Sequence, residues 1–319
     1  MQITFLGTSS GVPTRARNVS GVALRLPQRA EVWLFDCGEA TQHQLLRSQL
    51  SLSQLTRIFI THMHGDHVYG LMGLLSSAGL AGNPHRIDIY GPAGLEEYVR
   101  ACCEYSHTGF NYPVKVHTVR GVGETICEDS EFVVSCRLLK HRVPAYGYLV
   151  TERDRAGTFR VERAAALGIP SGPLYGRLKR GERVTLPDGR SFDGADFVEP
   201  PEQGRRIAYC TDTVYTDASV ELARGADLLI HEATFADEDA ALARQSMHST
   251  ASDAARVASD AHVRQLLLTH FSARYVPGND ITPNDLLRQA RAIFPQTELA
   301  YDFLTLEVPR HKSSDAVSV

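Results

Sequence analysis

Residues 61–67 read Thr61-His62-Met63-His64-Gly65-Asp66-His67, placing three imidazoles and one carboxylate directly after the apolar run Ile58-Phe59-Ile60. Alternate residues of an extended segment share a face, so His62 and His64 can point to one place, while Asp66 and His67, one turn further on, point to a second. Nitrogen and oxygen donors without thiolate suit zinc or manganese. The cluster therefore reads as a site for two metal ions. Histidine makes up only 13 of 319 residues. A cap or a buried hydrogen bond would account for one such histidine, not for three beside an Asp and a turn-forming Gly65.

Composition narrows the remaining classes. Six cysteines, at positions 37, 102, 103, 127, 136 and 210, form no C-x-x-C pair and read as reduced thiols. The first residues, Met1-Gln2-Ile3-Thr4-Phe5-Leu6, read as a strand and not as a secretion signal. No apolar run approaches the ~20 residues of a membrane span. A soluble, cytoplasmic protein is expected. A formal net charge of −4 excludes attraction of the whole surface to nucleic acid, so such a partner needs a local basic patch.

Short β-type runs are expected over 3–6, 22–26, 32–36, 58–61, 87–90, 132–139, 146–150, 207–211, 228–231, 266–269 and 299–308. Helices are expected over 41–49, 68–78, 95–104, 250–261 and 283–294. This is an α/β chain, and His62, His141, Asp212 and His270 each fall just past an expected strand, where α/β sheets build their sites. The rhythm fades over 151–201, where Gly and Pro accumulate. Between Thr151 and Arg190 nine Lys/Arg face five Asp/Glu, with Arg177, Lys179 and Arg180 clustered. An insertion of that length and charge reads as a protruding, flexible arm that grips a polyanion. The expected organisation is 1–150 and 202–308 as two parts of one domain, 151–201 as the arm, and 309–319 as a disordered tail.

The His-x-His-x-Asp-His cluster with His141, Asp212 and His270 resembles, in order and context, the metallo-β-lactamase superfamily. Further motifs are similar to its tRNA 3′-processing branch, ribonuclease Z, in its short, dimeric form. These are residues 5–13, the loop 13–18, Phe35-Asp36-Cys37-Gly38-Glu39, the stretch 168–179, His231-Glu232-Ala233-Thr234, His248-Ser249-Thr250 and Phe271-Ser272-Ala273-Arg274-Tyr275. The resemblance implies an αββα four-layer sandwich with the arm as a tRNA-binding exosite. It implies two Zn2+ per subunit, with Mn2+ or Co2+ able to substitute. One ion falls to His62, His64 and His141, the other to Asp66, His67 and His270, and Asp212 bridges.

The implied reaction is hydrolysis of precursor tRNA near the discriminator nucleotide, releasing the 3′ trailer and leaving a 3′-hydroxyl. Asp66 is then the base for water and His248 the proton donor to the departing oxygen, with Glu232 placed to keep His248 charged and His231 structural. Arg274 is expected to clamp a phosphate, the loop bearing Arg15, Arg17 and Asn18 to meet the RNA 3′ end, and Arg177, Lys179 and Arg180 to contact tRNA from the arm. Arg15 stands where the family usually has Lys, and Thr211 where Gly often precedes the Asp. A homodimer is implied, in which one subunit's arm holds RNA cut by the other; no DNA or membrane partner is expected. A small-molecule hydrolase needs neither the arm nor the loop. A di-iron redox protein would carry Glu in place of a histidine such as His64, and a non-catalytic RNA-binding module would have shed donors.

Overall fold

The structure is a computed structural model describing residues 1–82, 85–121 and 123–310. Two seven-stranded sheets form its larger unit, Met1–Thr151 with Arg206–Val308. The first sheet runs, edge to edge, Thr305–Glu307, Gln2–Gly7, Gly21–Leu26, Glu31–Phe35, Leu55–Phe59, Ile87–Gly91 and Val114–Thr118. The second runs Thr297–Leu299, Gln265–Thr269, Leu228–Glu232, Arg206–Cys210, Ala145–Glu152, Phe132–Leu139 and Glu124–Glu128.

The period-two alternation of each strand decides the layering. In Glu31–Phe35 the side chains of Trp33 and Phe35 join one core, and Val32 and Leu34 another. The first core lies between the sheets. There Phe35 and Phe59 stack at 5.0 Å, and Tyr148 and Tyr209 of the second sheet meet them at 5.4 and 5.3 Å. Outside the first sheet lie Leu71–Leu80 and Leu95–Ser106. Outside the second lie Asp217–Ala223, Ala251–Asp260 and Pro283–Arg291. Capping boxes, Thr250 with Asp253 and Thr282 with Asp285, set the last two helix starts. Helix, sheet, sheet, helix is the αββα sandwich expected from the resemblance.

Strand register assembles the site. Arg206–Cys210, Leu228–Glu232, Gln265–Thr269 and Thr297–Leu299 are parallel, with Cys210 opposite His231 and Glu232 opposite Thr269. Asp212, Glu232 and His270 therefore emerge side by side at one end of the sheet. The backbone N–H of Tyr146 donates to Thr61 O at 2.9 Å, tying the histidine-rich loop of one sheet to the other.

Two expectations differ in detail. The single strand over 299–308 is two, one in each sheet, because the chain turns through Asp302 and Phe303, the latter at φ +68°. The helix over 68–78 is broken into Gly65–Val68 and Leu71–Leu80 at Gly70, where a Cβ would meet Gly38 O at 2.0 Å. Glu152–Arg205, with Pro309 and Arg310, makes a second compact unit. It has helices Val161–Ala166 and Pro173–Lys179, a strand pair Val184–Thr185 with Ser191–Phe192, and its own core of Ala164, Ile169, Leu178, Val184, Leu186 and Phe197. Of the tail expected at 309–319, residues 311–319 lie outside those described.

Candidate metal centre

Each buried imidazole is oriented by what its Nδ1 touches. His67 Nδ1 lies 2.8 Å from Asp36 Oδ2, His141 Nδ1 2.9 Å from Met247 O, and His270 Nδ1 2.9 Å from Thr234 Oγ1. His62 Nδ1 is 3.0 Å from Thr61 Oγ1, whose hydroxyl donates onward to Asp36. Those contacts assign the Nδ1–H tautomer to all four rings, so their Nε2 lone pairs turn inward. His64 presents Nδ1 instead, 3.0 Å from His62 Nε2 and 3.4 Å from His141 Nε2. Strained backbone supports these aims: Asp36, Met247 and His270 all take left-handed φ, at 57°, 59° and 61°.

Three overlapping groups of donors result among the described residues: His62, His64, His141 with Asp212; Asp66, His67 with His270; and Asp212 and His270 with His248. Asp212 faces the first two. Its Oδ2 lies 3.5 Å from His62 Nε2 and 3.7 Å from His141 Nε2, and its Oδ1 lies 3.4 Å from His67 Nε2 and 3.2 Å from His270 Nε2. That Oδ1 is buried without a hydrogen-bond partner, an expensive state for a carboxylate oxygen. Asp66 Oδ2 sits 3.4 Å from His67 Nε2 and 3.5 Å from His270 Nε2, and accepts the Gly11 N–H at 2.8 Å.

Electrostatics fit a cation. Burial first, then the charge of His67, holds His62 well below the ordinary imidazole range, and burial also lowers His64 and His141. A lowered imidazole is held neutral, the form in which a ring can offer a lone pair to a metal. Burial opposes a charged His67 too, but Asp212, Asp36 and Asp66 outweigh it and raise the ring well above its usual range, so a cation at Nε2 would take the place of a proton there. Despite burial, Asp66 and Asp212 are pushed down by the surrounding imidazoles. Converging lone pairs, ionised carboxylates and an orphaned Asp212 oxygen together make a donor set compatible with a metal site.

His248 lies beside this cluster. Its Nδ1 is 2.9 Å from Glu232 Oε1 and 4.0 Å from Asp212 Oδ2, and its side chain is 14% exposed. Burial alone would discharge it, but the Glu232 carboxylate more than offsets that and raises its pKa to about 9. Glu232 is wholly buried, and its other partners are Thr213 N at 2.7 Å and the hydroxyl of Thr234. One carboxylate thus anchors His248 directly and His270 through Thr234.

In the sequence Asp36 stands only as part of the motif Phe35-Asp36-Cys37-Gly38-Glu39, and nothing in its local pattern distinguishes it from any Asp that follows an apolar strand. Yet it is fully buried and accepts from Thr61 N, Thr61 Oγ1, His67 and Tyr209 Oη. Gly38 follows the same loop: a Cβ there would meet Asp66 O at 2.2 Å, so only glycine lets the loop pass. His231, fully buried, rests its Nδ1 on Glu232 O at 2.8 Å.

The expected substrate-contact residues differ in their freedom. Arg15 is exposed. Arg17 turns inward, donating to Thr8 Oγ1 at 2.7 Å and Ala300 O at 2.8 Å and lying 4.7 Å over Phe271. Asn18 donates to Glu39 O, and its backbone N–H donates to Asp302. Arg274 is half-exposed, 3.5 Å from Asp239 and 5.5 Å over the Phe235 ring. In the second unit, Arg177 and Arg180 both pair with Glu182, at 3.0 and 2.8 Å. Lys179 is exposed and has no ion pair among the described residues.

The sandwich and its histidine-carboxylate centre define a hydrolase of the metallo-β-lactamase fold. A family model described as "Beta-lactamase superfamily domain" matches residues 197–271, and one described as "Anti-Pycsar protein Apyc1" matches residues 1–103. Ribonuclease Z of Cyanothece sp. (strain PCC 7425 / ATCC 29141) is 67% identical over 312 residues, 98% of this chain and 97% of that one. Ribonuclease Z of Nostoc sp. (strain PCC 7120) is 65% identical over 313 residues, covering 98% and 96%. The crystal structure of the short form of human tRNase Z superposes with a TM-score of 0.71 at 32% identity, covering 97% of this chain and 100% of that one. The chain belongs to the ribonuclease Z family and is accordingly an endoribonuclease, a phosphodiester hydrolase. No helix among the described residues is long and apolar enough to cross a membrane.

Replacing Asp36 by Asn removes the acceptor that turns His67 inward. Metal retention, read by titration of the apoprotein, is expected to weaken about 10–100-fold with the fold intact. An unchanged affinity would contradict the role given to Asp36.

Proposed function

We propose that this protein removes the 3′ trailer of precursor tRNA by hydrolysis near the discriminator nucleotide, leaving a 3′-hydroxyl. The observation that carries the reading is His248, set 2.9 Å from the buried carboxylate of Glu232 and beside a donor cluster shared by Asp212. His62, His64 and His141 would hold one Zn2+ and Asp66, His67 and His270 the other, with Asp212 between. Two divalent ions supply an activated water at neutral pH and offset charge on the phosphodiester oxygens.

The chain's own groups do the proton work. Asp66, ionised and fixed by the Gly11 N–H, orients the attacking water and takes its proton. As the water oxygen bonds to phosphorus and the bond from phosphorus to the 3′-oxygen breaks, His248 passes its proton to that oxygen. The products are a 3′-hydroxyl on the tRNA and a 5′-phosphate on the trailer. Glu232 keeps His248 charged until then, and a placed acid of this kind contributes about 10²–10⁴-fold in rate.

Arg274 has room to grip a backbone phosphate with its planar fork. Arg15 faces outward to meet the RNA 3′ end, while Arg17 and Asn18 hold its loop in shape. Lys179, with Arg177 and Arg180, would contact the folded tRNA by its backbone and shape. A homodimer in the cytoplasm, each subunit's arm serving its partner's site, completes the reading.

The test is cleavage of a 5′-labelled precursor tRNA mapped to the nucleotide. A single cut at the trailer boundary is expected, lost in Asp66→Ala and in chelated protein; no cleavage by metal-loaded protein would refute the reading. The pH profile tests the acid. His248 must be protonated, so kcat/KM should fall as pH rises through about 9. In Glu232→Gln the ring loses its raising carboxylate, and the fall should come at lower pH. An alkaline limb unmoved by that substitution would show that His248 is not the donor.

A further inference from the structure

Tyr69 is 65% exposed, and no hydrogen bond among the described residues engages its hydroxyl. It follows the short helix Gly65–Val68, and its backbone N–H donates to Gly65 O at 2.8 Å. A Cβ built on Gly65 would lie 2.0 Å from Tyr69 Cε2 and 2.4 and 2.5 Å from the flanking Cζ and Cδ2. Those nearly equal distances, only a little longer than the first, describe a point above the ring plane; a point off the ring edge would stand much farther from the flanking atoms. One face of the ring thus covers the Gly65 backbone, and its high exposure leaves the other open to solvent.

The position matters because of where the centre opens. His62, His67, Asp212 and His270 are at most 2% exposed, whereas His64, Gly65 and Asp66 are half-buried. His141 and His248 are half-buried as well, so the segment that Tyr69 overlies forms one part of the rim of the opening and those two histidines another. Glycine at 65 is also explained, since any side chain there would fill the space of the ring.

We infer that Tyr69 is a stacking platform for a nucleobase flanking the scissile phosphate, with the ring held flat beside the entrance by Gly65. This rests on the RNA reading proposed above. An aromatic face accepts any base, so the contact positions the strand without choosing its sequence. A ring already braced on backbone gives up little freedom when a base stacks on it.

The test compares wild type, Tyr69→Phe and Tyr69→Ala on a trailer-bearing precursor tRNA, on the same RNA with a single abasic nucleotide on either side of the cut, and on bis(p-nitrophenyl) phosphate. Tyr69→Ala should lose about ten- to a hundredfold in RNA cleavage relative to the small phosphodiester, while Tyr69→Phe keeps it. One abasic position should cost wild type a similar factor and cost Tyr69→Ala nothing more. Equal losses on both substrate classes, or undiminished sensitivity of Tyr69→Ala to the abasic sites, would overturn the inference, the ring then being only a prop for the loop. Wild type that hydrolyses the small diester but cuts no RNA would instead overturn the RNA reading beneath it.

Discussion

Two wholly buried carboxylates, Asp36 and Glu232, hold the site together. Asp36 directly follows a strand of one sheet and Glu232 ends a strand of the other, and each is fully engaged: Asp36 by Thr61, His67 and Tyr209, Glu232 by Thr213, Thr234 and His248. Burying such charges unpaired would cost several kcal/mol apiece. Here that demand is met by groups that fix imidazole tautomers, so the same bonds that satisfy the fold aim lone pairs at one place. Thr61 and Thr234 extend the reach of each carboxylate to a second ring, His62 and His270.

The aim also requires chain geometry that few residues tolerate. Asp36, Met247 and His270 sit in left-handed conformation, and Gly38 and Gly70 let two loops cross at backbone distance. The cost falls on the loops that follow strands and helices, while the core between the sheets stays regular, dominated by ring contacts such as Phe35 with Phe59 and Tyr209. A rigid sandwich carrying a strained rim positions donors to fractions of an ångström, which loops alone do not.

Much of this was legible in the sequence, for physical reasons. His62, His64, Asp66 and His67 betray themselves because ligand spacing reflects local backbone geometry, and His141, Asp212 and His270 because each follows an apolar run. The pairing of Glu232 with His248 could be anticipated from the family motifs. Asp36 was hidden because its partners, His67 and Tyr209, are distant in sequence. The charge of the inserted segment misled for a related reason. Counted over Thr151 to Arg190 it is basic, but over Glu152–Arg205 ten Lys/Arg meet nine Asp/Glu. Glu199, Asp193 and Glu182 pair with Arg160, Arg183 and Arg177. Any grip on a polyanion by that unit therefore depends on side chains such as Lys179 that escape internal pairing, and on shape more than net charge. A strand end such as Leu299 likewise gives no local sign that the following residues cross to another sheet.

The central claim is that Asp212 joins two sets of donors into one centre for two ions. Metal content per chain, counted by mass spectrometry on the purified protein and on Asp212→Ala, tests it most directly. Two ions per chain in the native protein, with both lost or weakened together in the variant, is the result this account predicts. One ion per chain, or a variant that sheds a single ion and retains the other at full affinity, would contradict it.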